Sequence, residues 1–363
     1  MPHASPAAWP FVPYEKIAES LEGWLGEDEA AYRALRNVPW VATEKIHGAN
    51  FCVVSNGAEV RAARRKAYLA PDEDFFGHRP LLERLAPRVI RAAARVLEKD
   101  ARVAFVFVHG ELFGGHYPHP KVRAEPEVQA VQTGCWYSPK IEFCAFDLGV
   151  MHQGKSERVY LDHDEATRVF EETGIFHAKP YARGGYEELI QVPLGFESTL
   201  PAALGLPPLP QGNKAEGLVL KPSRAVSIPR REGVVRPVIK RKIAEFAEDA
   251  RYHGATKWVA PPAPRVAVSG AGALEWLRHE VSALLTGTRL AAAVSKVGRV
   301  RPGDTARAGE VMALLLEDID AELSARAPAL VQGLSPGDAK ALRTHIADEA
   351  RALIEIHLDV TPP

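Results

Sequence analysis

The sequence predicts an α+β chain: a mixed domain of antiparallel sheets flanked by helices, followed by an all-α domain. Three observations carry this. Short apolar runs bounded by turn residues recur from Trp40 to Leu148 and again from Ala215 to Lys242. A proline cluster, Lys257-Trp-Val-Ala-Pro-Pro-Ala-Pro264, can sustain neither regular element and reads as a linker. Beyond it the apolar residues recur with a helical period. The expected organisation is a first domain over residues 1–256, a linker over 257–269 and a helical domain over 270–363.

In chain order, a proline-rich start gives way to helical periodicity around Ile17, Leu21, Trp24 and Leu25. Trp40-Val-Ala-Thr-Glu-Lys-Ile-His-Gly-Ala-Asn-Phe-Cys-Val-Val54 reads as strand, tight turn, strand, with Lys45 at the end of the first run and Gly48 where the backbone can approach a ligand closely. Ser55-Asn56-Gly57 is a turn signal, and Ala58 to Ala63 returns as a third strand ending at Arg64 and Arg65. Leu81 to Lys99 is helical by composition and is expected to break or kink near Pro87. Ala101 to Val108 is a buried-type strand running into His109-Gly-Glu-Leu-Phe-Gly-Gly115, which sets Glu111 at a strand end. Ile141 to Leu148 is another strand; strict alternation puts Phe146 and Asp147 on opposite faces.

Gly149-Val-Met-His-Gln-Gly-Lys-Ser156 has the spacing of a phosphate-binding P-loop, but the next residues read as a strand where that motif needs a helix, so it is taken as a hairpin loop. Leu200 to Gly212 is a loop, Ala215 to Lys221 a strand that begins with an acid and ends with a base, and Val234 to Lys242 a strand with Lys240 and Lys242 on one side. In the last third, Met312, Leu315, Leu316, Ile319 and Leu323 form one apolar stripe. Leu342, Ile346, Ala350 and Leu353 form another, started by Ser335 as cap and Pro336 in the first turn.

Composition narrows the function. No apolar run reaches the ~20 residues of a bilayer span and the start lacks a signal-peptide pattern, so a cytoplasmic protein with no membrane partner is expected. Three cysteines without Cys-x-x-Cys spacing support neither a disulfide framework nor structural zinc. His116 and His119 are close enough to suggest a metal pair, but Pro118 and Pro120 exclude a helix face and no third ligand is evident, so they read as a polar loop. The net charge of -1 conceals basic clusters at Arg61, Arg64, Arg65 and Lys66 and from Lys221 to Lys242, which suit phosphates.

Lys45, Arg65, Glu111, Phe146, Glu216, Lys221, Lys240 and Lys242 all fall at predicted strand ends, where one pocket could collect them. The chemistry that needs this set is nucleotidyl transfer through lysine, in which a neutral amine attacks the α-phosphorus of a nucleoside triphosphate and pyrophosphate leaves. An ordinary lysine of pKa ~10.4 is free amine in about one molecule in a thousand at neutral pH, so neighbouring cations and partial burial must favour the amine by ~4 kcal/mol. Lys240 and Lys242 are the candidates for that task and for neutralising phosphate, and Glu216 is the candidate metal ligand.

Lys45-Ile-His-Gly-Ala-Asn50, His109-Gly-Glu-Leu-Phe-Gly114, Glu142-Phe-Cys-Ala-Phe-Asp147, Glu216-Gly-Leu-Val-Leu-Lys221 and Ile239-Lys-Arg-Lys242 resemble, in order, five motifs of the covalent nucleotidyltransferases. His47, where DNA ligases and capping enzymes carry Asp, is similar to the RNA ligase 2 family, as are Arg64-Arg65, Pro71-Asp-Glu-Asp-Phe-Phe-Gly77 and Val294-Ser-Lys-Val-Gly298. The resemblance implies a nucleotidyltransferase domain and ATP-dependent sealing of 3′-hydroxyl and 5′-phosphate ends, with Lys45 adenylylated and Mg²⁺ or Mn²⁺ required. The implied partners are nicked duplex RNA or an RNA/DNA hybrid, and a monomer is expected. Carried over by motif, Glu44 and Ile46 contact adenine, Phe146 stacks on it, and Asn50, Arg65 and Glu111 bind the ribose or its phosphate. Glu216 serves the metal, Lys221, Lys240 and Lys242 the phosphates, and His47 acts after lysine adenylylation. The helical domain corresponds to the part of the family that engages the duplex. The alternatives are a DNA ligase or capping-type enzyme, against which His47 counts, and a non-catalytic RNA-binding relative, against which Lys45 counts.

Overall fold

The computed structural model describes residues 9–26, 28–125, 128–230, 233–246 and 271–362. The expected linker lies outside the described residues. The chain divides after Ile243 into two compact units.

The first unit is built on two antiparallel sheets. Short helices α1 (Glu22–Leu25) and α2 (Glu29–Arg36) lead into β1 (Trp40–Glu44), β2 (Ala49–Ser55), β3 (Val60–Arg64) and β4 (Ala67–Tyr68). Helix α3 (Arg79–Lys99) follows, then the long strands β5 (Val103–His116) and β6 (Ser138–His152), and the short β7 (Val159–Tyr160). After α4 (His163–Thr173) come β8 (Pro180–Gly184), α5 (Tyr186–Leu189), α6 (Leu200–Ala203) and β9 (Gly217–Pro222). Strands β10 (Ile228–Arg230) and β11 (Gly233–Val235) pair as a separate hairpin before β12 (Ile239–Lys242).

The first sheet has strand order β12-β9-β1-β8 and the second β4-β3-β2-β5-β6-β7. In the first, alternation sorts side chains cleanly. Trp40, Ala42, Leu218, Leu220 and Ile239 form one buried face against Leu21, Leu25, Leu35 and Leu189 of the small helices. The register pairs Val41 with Lys221, and Val219 with both Thr43 and Lys240, so the other face carries the lysines. In the second sheet, α3 packs on one face, and the N-terminal segment covers part of the other, with Trp9 and Val12 against Cys52, Phe105 and Phe107.

Several sequence expectations change. Of the periodic N-terminal run only Glu22–Leu25 is helical; Ala18 instead bridges to Ile239 at the sheet edge. Helix α3 is continuous through Pro87 from Arg79 to Lys99, so the chain does not break there: a helical proline forfeits one backbone bond, which the buried face of Leu81, Leu85, Val89, Ala92 and Val96 offsets. The expected strand from Val234 to Lys242 is two strands, since Pro237 cannot donate to a ladder. The P-loop spacing falls on the end of β6 and a turn at Gly154 leading to β7.

The second unit carries helices α7 (Ala271–Leu284), α8 (Gly287–Val297), α9 (Thr305–Arg326), α10 (Pro328–Gln332) and α11 (Pro336–Leu358). Ser335 caps α11 by accepting from the Asp338 N–H at 3.1 Å, with Pro336 in the first turn. The stripes on α9 and α11 meet: Leu315 packs with Ala350 and Ile354, and Ile319 and Leu323 with Leu342 and Ile346. Among the described residues no helix is long and apolar enough to cross a membrane.

Candidate active site

The site lies where β1 leaves the first sheet and the turn 45–48 carries the chain into the second. The Lys45 N–H still donates to the Gly217 carbonyl at 2.8 Å, as if the ladder ran one residue past β1. Its amine, at the sheet's lysine face, donates to Glu216 Oε2 at 2.7 Å. His47 Nδ1 is 3.4 Å from the same oxygen, and Lys242 Nζ is 3.2 Å from Oε1. Glu216 is 2% exposed. Burial opposes its ionisation, but Lys45, His47 and Lys242 outweigh it and hold the carboxyl well below the usual range.

Gly48 makes the crossing possible, by a route the sequence did not suggest. A Cβ there would lie 2.2 Å from the Leu112 carbonyl oxygen, so its missing side chain admits β5, a neighbouring strand. The close packing aligns β2 with β5 so that Asn50 faces Glu111. Phe51 faces Arg64 on the other side, which leaves Arg65, in the β3–β4 turn, beside Asn50. Arg65, Asn50 and Glu111 thus form one rung near Lys45. Burial raises the Glu111 carboxyl to about 8, with Lys45 opposing, Glu216 adding and Arg65 opposing.

A second cluster ties the two sheets together. The β5–β6 register pairs His109 with Asp147 and Gly110 with Ala145, which leaves Phe146 as the extra residue of a bulge. The bulge defeats the alternation expected there: Phe146 and Asp147 both meet Tyr14, the rings 5.3 Å apart and the Tyr14 hydroxyl donating to Asp147 Oδ2 at 2.6 Å. Lys221 donates to Asp147 Oδ1 at 2.5 Å and to the Phe146 carbonyl at 2.6 Å, and Arg236 to Asp147 Oδ2 at 3.0 Å. Burial disfavours the Asp147 charge, yet Arg236 and Lys221 hold the carboxyl far below its ordinary range, while burial pushes the Lys221 ammonium down.

The sequence-predicted residues therefore separate. Lys45, His47, Lys242 and Glu216 share one ion cluster, and Lys221 belongs to the Asp147 cluster. Lys240 does not turn to Glu216: its amine is 3.5 Å from Glu19 Oε1, because Lys240 pairs with Val219, two positions from the end of β9 where Glu216 sits. Glu44 lies on the opposite face of β1 from Lys45. Its carboxylate accepts from Ser198 Oγ, Thr199 N and Thr199 Oγ1. Ile46 is buried and Phe146 partly so. Tyr14 was missed by sequence reading, and Arg236 was read only as one of the basic residues from Lys221 to Lys242; both reach Asp147 from far along the chain, a pairing that no spacing marks. Among the described residues, no three His, Cys, Asp or Glu converge as a metal cluster.

Comparison with known proteins places the chain among relatives. Mitochondrial RNA-editing ligase 2 of Trypanosoma brucei brucei is 35% identical over 203 residues, which cover 51% of this chain and 49% of the relative. Mitochondrial RNA-editing ligase 1 of the same organism is 27% identical over 363 aligned positions, covering 87% of this chain and 76% of the relative. The chain thus spans about half the length of the first relative. Solved structures of Naegleria gruberi RNA ligase are similar over 64% of this chain and 57% of theirs, at 15% identity and TM-score 0.38 for the form with PPi. A mutant form with ATP and Mn gives 13% and 0.40, and similarity at this level adds nothing to the assignment. The family model described as RNA ligase matches residues 38–242, from the approach to β1 through the last residue of β12, and with it the chain belongs to the RNA ligase family.

Proposed function

We propose that this chain is an ATP-dependent RNA ligase that joins 3′-hydroxyl and 5′-phosphate ends through a lysyl-AMP at Lys45, acting on nicks in duplex RNA or RNA/DNA hybrids. The observation that carries the reading is the amine of Lys45 at the exit of β1, 2.7 Å from a buried carboxylate that also binds Lys242, with the Arg65–Asn50–Glu111 rung beside it. In the first step the neutral Nζ forms a bond to the α-phosphorus, the bond to the bridging oxygen breaks, and pyrophosphate leaves with its electrons. The adenylate then passes to the 5′-phosphate, and attack by the 3′-hydroxyl releases AMP.

Phe146, held by its bulge and by Tyr14, offers a ring face for the purine. Asn50, Arg65 and Glu111 are placed for ribose hydroxyls, and a Glu111 carboxyl raised to about 8 can donate a hydrogen bond at neutral pH. Lys242 is positioned to offset phosphate charge once Glu216 lets it go, and Lys221 to do so from the Asp147 side. A divalent ion, Mg²⁺ or Mn²⁺, fits Glu216: an ionised, buried carboxylate at the amine, with substrate phosphates supplying further oxygens. Bound there, it would neutralise phosphate charge and compete with Lys45 for the carboxylate. The helical unit is proposed to engage the duplex.

The test is labelling with α-³²P-ATP and Mg²⁺ or Mn²⁺. The wild type should take up AMP and Lys45→Ala should take up none; AMP uptake by Lys45→Ala would refute the assignment of the nucleophile. A sealing assay on nicked duplexes with RNA or DNA on each side of the break tests the substrate.

A further inference from the structure

The turn that carries Lys45 is held from both flanks by residues outside all five motifs. Before the lysine, both oxygens of Glu44 are gripped by Ser198 and Thr199, at 2.6 Å from each hydroxyl and 2.8 Å from the Thr199 amide. After it, the His47 N–H donates to the Tyr137 hydroxyl oxygen at 2.9 Å. Residues 45–48 have no strand ladder of their own, so this amide needs an acceptor from elsewhere.

The two grips are joined. Ser198 N–H donates to the Asn213 carbonyl at 2.9 Å, and Asn213 N–H to Glu197 Oε2 at 2.5 Å. The Asn213 side chain accepts from Trp136 N–H at 2.9 Å and donates to the Trp136 carbonyl at 2.6 Å, next to Tyr137. The Cys135 thiol donates to the Lys214 carbonyl at 3.2 Å, two residues before Glu216. Tyr137 is 1% exposed and packs edge-on against Phe113 at 5.3 Å, so packing fixes where its hydroxyl sits.

We propose that Tyr137 is a positioning residue for the Lys45 nucleophile: its hydroxyl oxygen holds the His47 amide and closes a hydrogen-bonded ring through Asn213 and Ser198–Thr199 to Glu44. The ring fixes the turn 45–48 against Glu216 from outside the reacting groups. Because a reacting amine must sit within a fraction of an ångström of its attack line, a loosened turn lowers the rate of transfer without weakening the purine site. The inference rests on Lys45 being the adenylylated residue.

Tyr137→Phe keeps the ring and removes the oxygen. Single-turnover AMP transfer, normalised to active molecules and measured well below the variant's melting temperature, should slow roughly tenfold, the size of one lost hydrogen bond. ATP half-saturation should stay within about twofold of the wild type, a split that a merely structural role would not produce. The paired variant Ser198→Ala/Thr199→Val reads the same rate from the other flank and serves if Tyr137→Phe does not fold. A rate equal to wild type overturns the proposal, as does a loss found wholly in ATP half-saturation or in the fraction of active molecules. A wild type that takes up no AMP ends the lysyl-AMP reading itself; a labelled wild type matched by Tyr137→Phe ends this inference alone.

Discussion

Replacing Glu216 by Gln removes one negative charge from a carboxyl that is 2% exposed and faces Lys45 at 2.7 Å, Lys242 at 3.2 Å and His47 at 3.4 Å. The amide keeps an acceptor on one side only, toward Lys45 and His47 or toward Lys242, and two ammonium groups are left facing each other without a countercharge. Breaking a buried pair from one side costs about 3–5 kcal/mol, but Lys45 and Lys242 keep some contact with solvent and can swing outward, so about 3 kcal/mol is expected. For a unit of this size, about 2–4 °C per kcal/mol puts the melting temperature about 6–12 °C lower at pH 7. The folded carboxyl lies below its unfolded value of 4.5, so its contribution is present above that pH and lost as the pH falls through the folded value. The gap between Glu216→Gln and wild type, followed by thermal melts at low ionic strength, should therefore narrow below pH 4.5. Lys242→Met added to Glu216→Gln should recover about 1 kcal/mol by removing one stranded cation. A melting temperature within 2 °C of wild type, or strictly additive variants, would refute this account of the cluster.

Asp147→Asn leaves Lys221 and Arg236 buried without their carboxylate and should cost about 3–5 kcal/mol, visible as an early denaturant midpoint; an unchanged midpoint would remove the cluster's role in joining the sheets. Glu111 runs the other way with pH. Its carboxyl, raised from 4.5 to about 8, favours folding below pH 4.5 and loses that contribution as pH rises through 8. Glu111→Gln should thus gain stability over wild type between pH 5 and 8.5, on the order of 3 kcal/mol at the upper end, and a pH-independent difference would contradict the burial argument. Gly48→Ala drives a methyl into the Leu112 carbonyl and should slow AMP transfer and lower the melting temperature together; a variant with normal transfer would show that the β2–β5 approach does not set the turn.

Local pattern alone determined much of this protein. The runs around Trp40, Phe51, Phe105 and Phe143 read as strands, and the cap at Ser335 and the stripes on Met312 and Leu342 as helices, because period and capping are properties of neighbouring residues. The ordered motifs from Lys45 to Lys242 were legible for the same reason: each is a handful of adjacent side chains. What folding decided was direction and partnership. A bulge turned Phe146 and Asp147 the same way, register sent Lys240 to Glu19 and Lys242 to Glu216, and alternation along β1 set Glu44 against Ser198 while Lys45 faced the cluster. Tyr14, Tyr137, Asn213 and Arg236 joined the site across separations that no short pattern spans. Their places follow from which strands lie side by side, and pairing is a choice of the whole chain's free energy rather than of any segment within it.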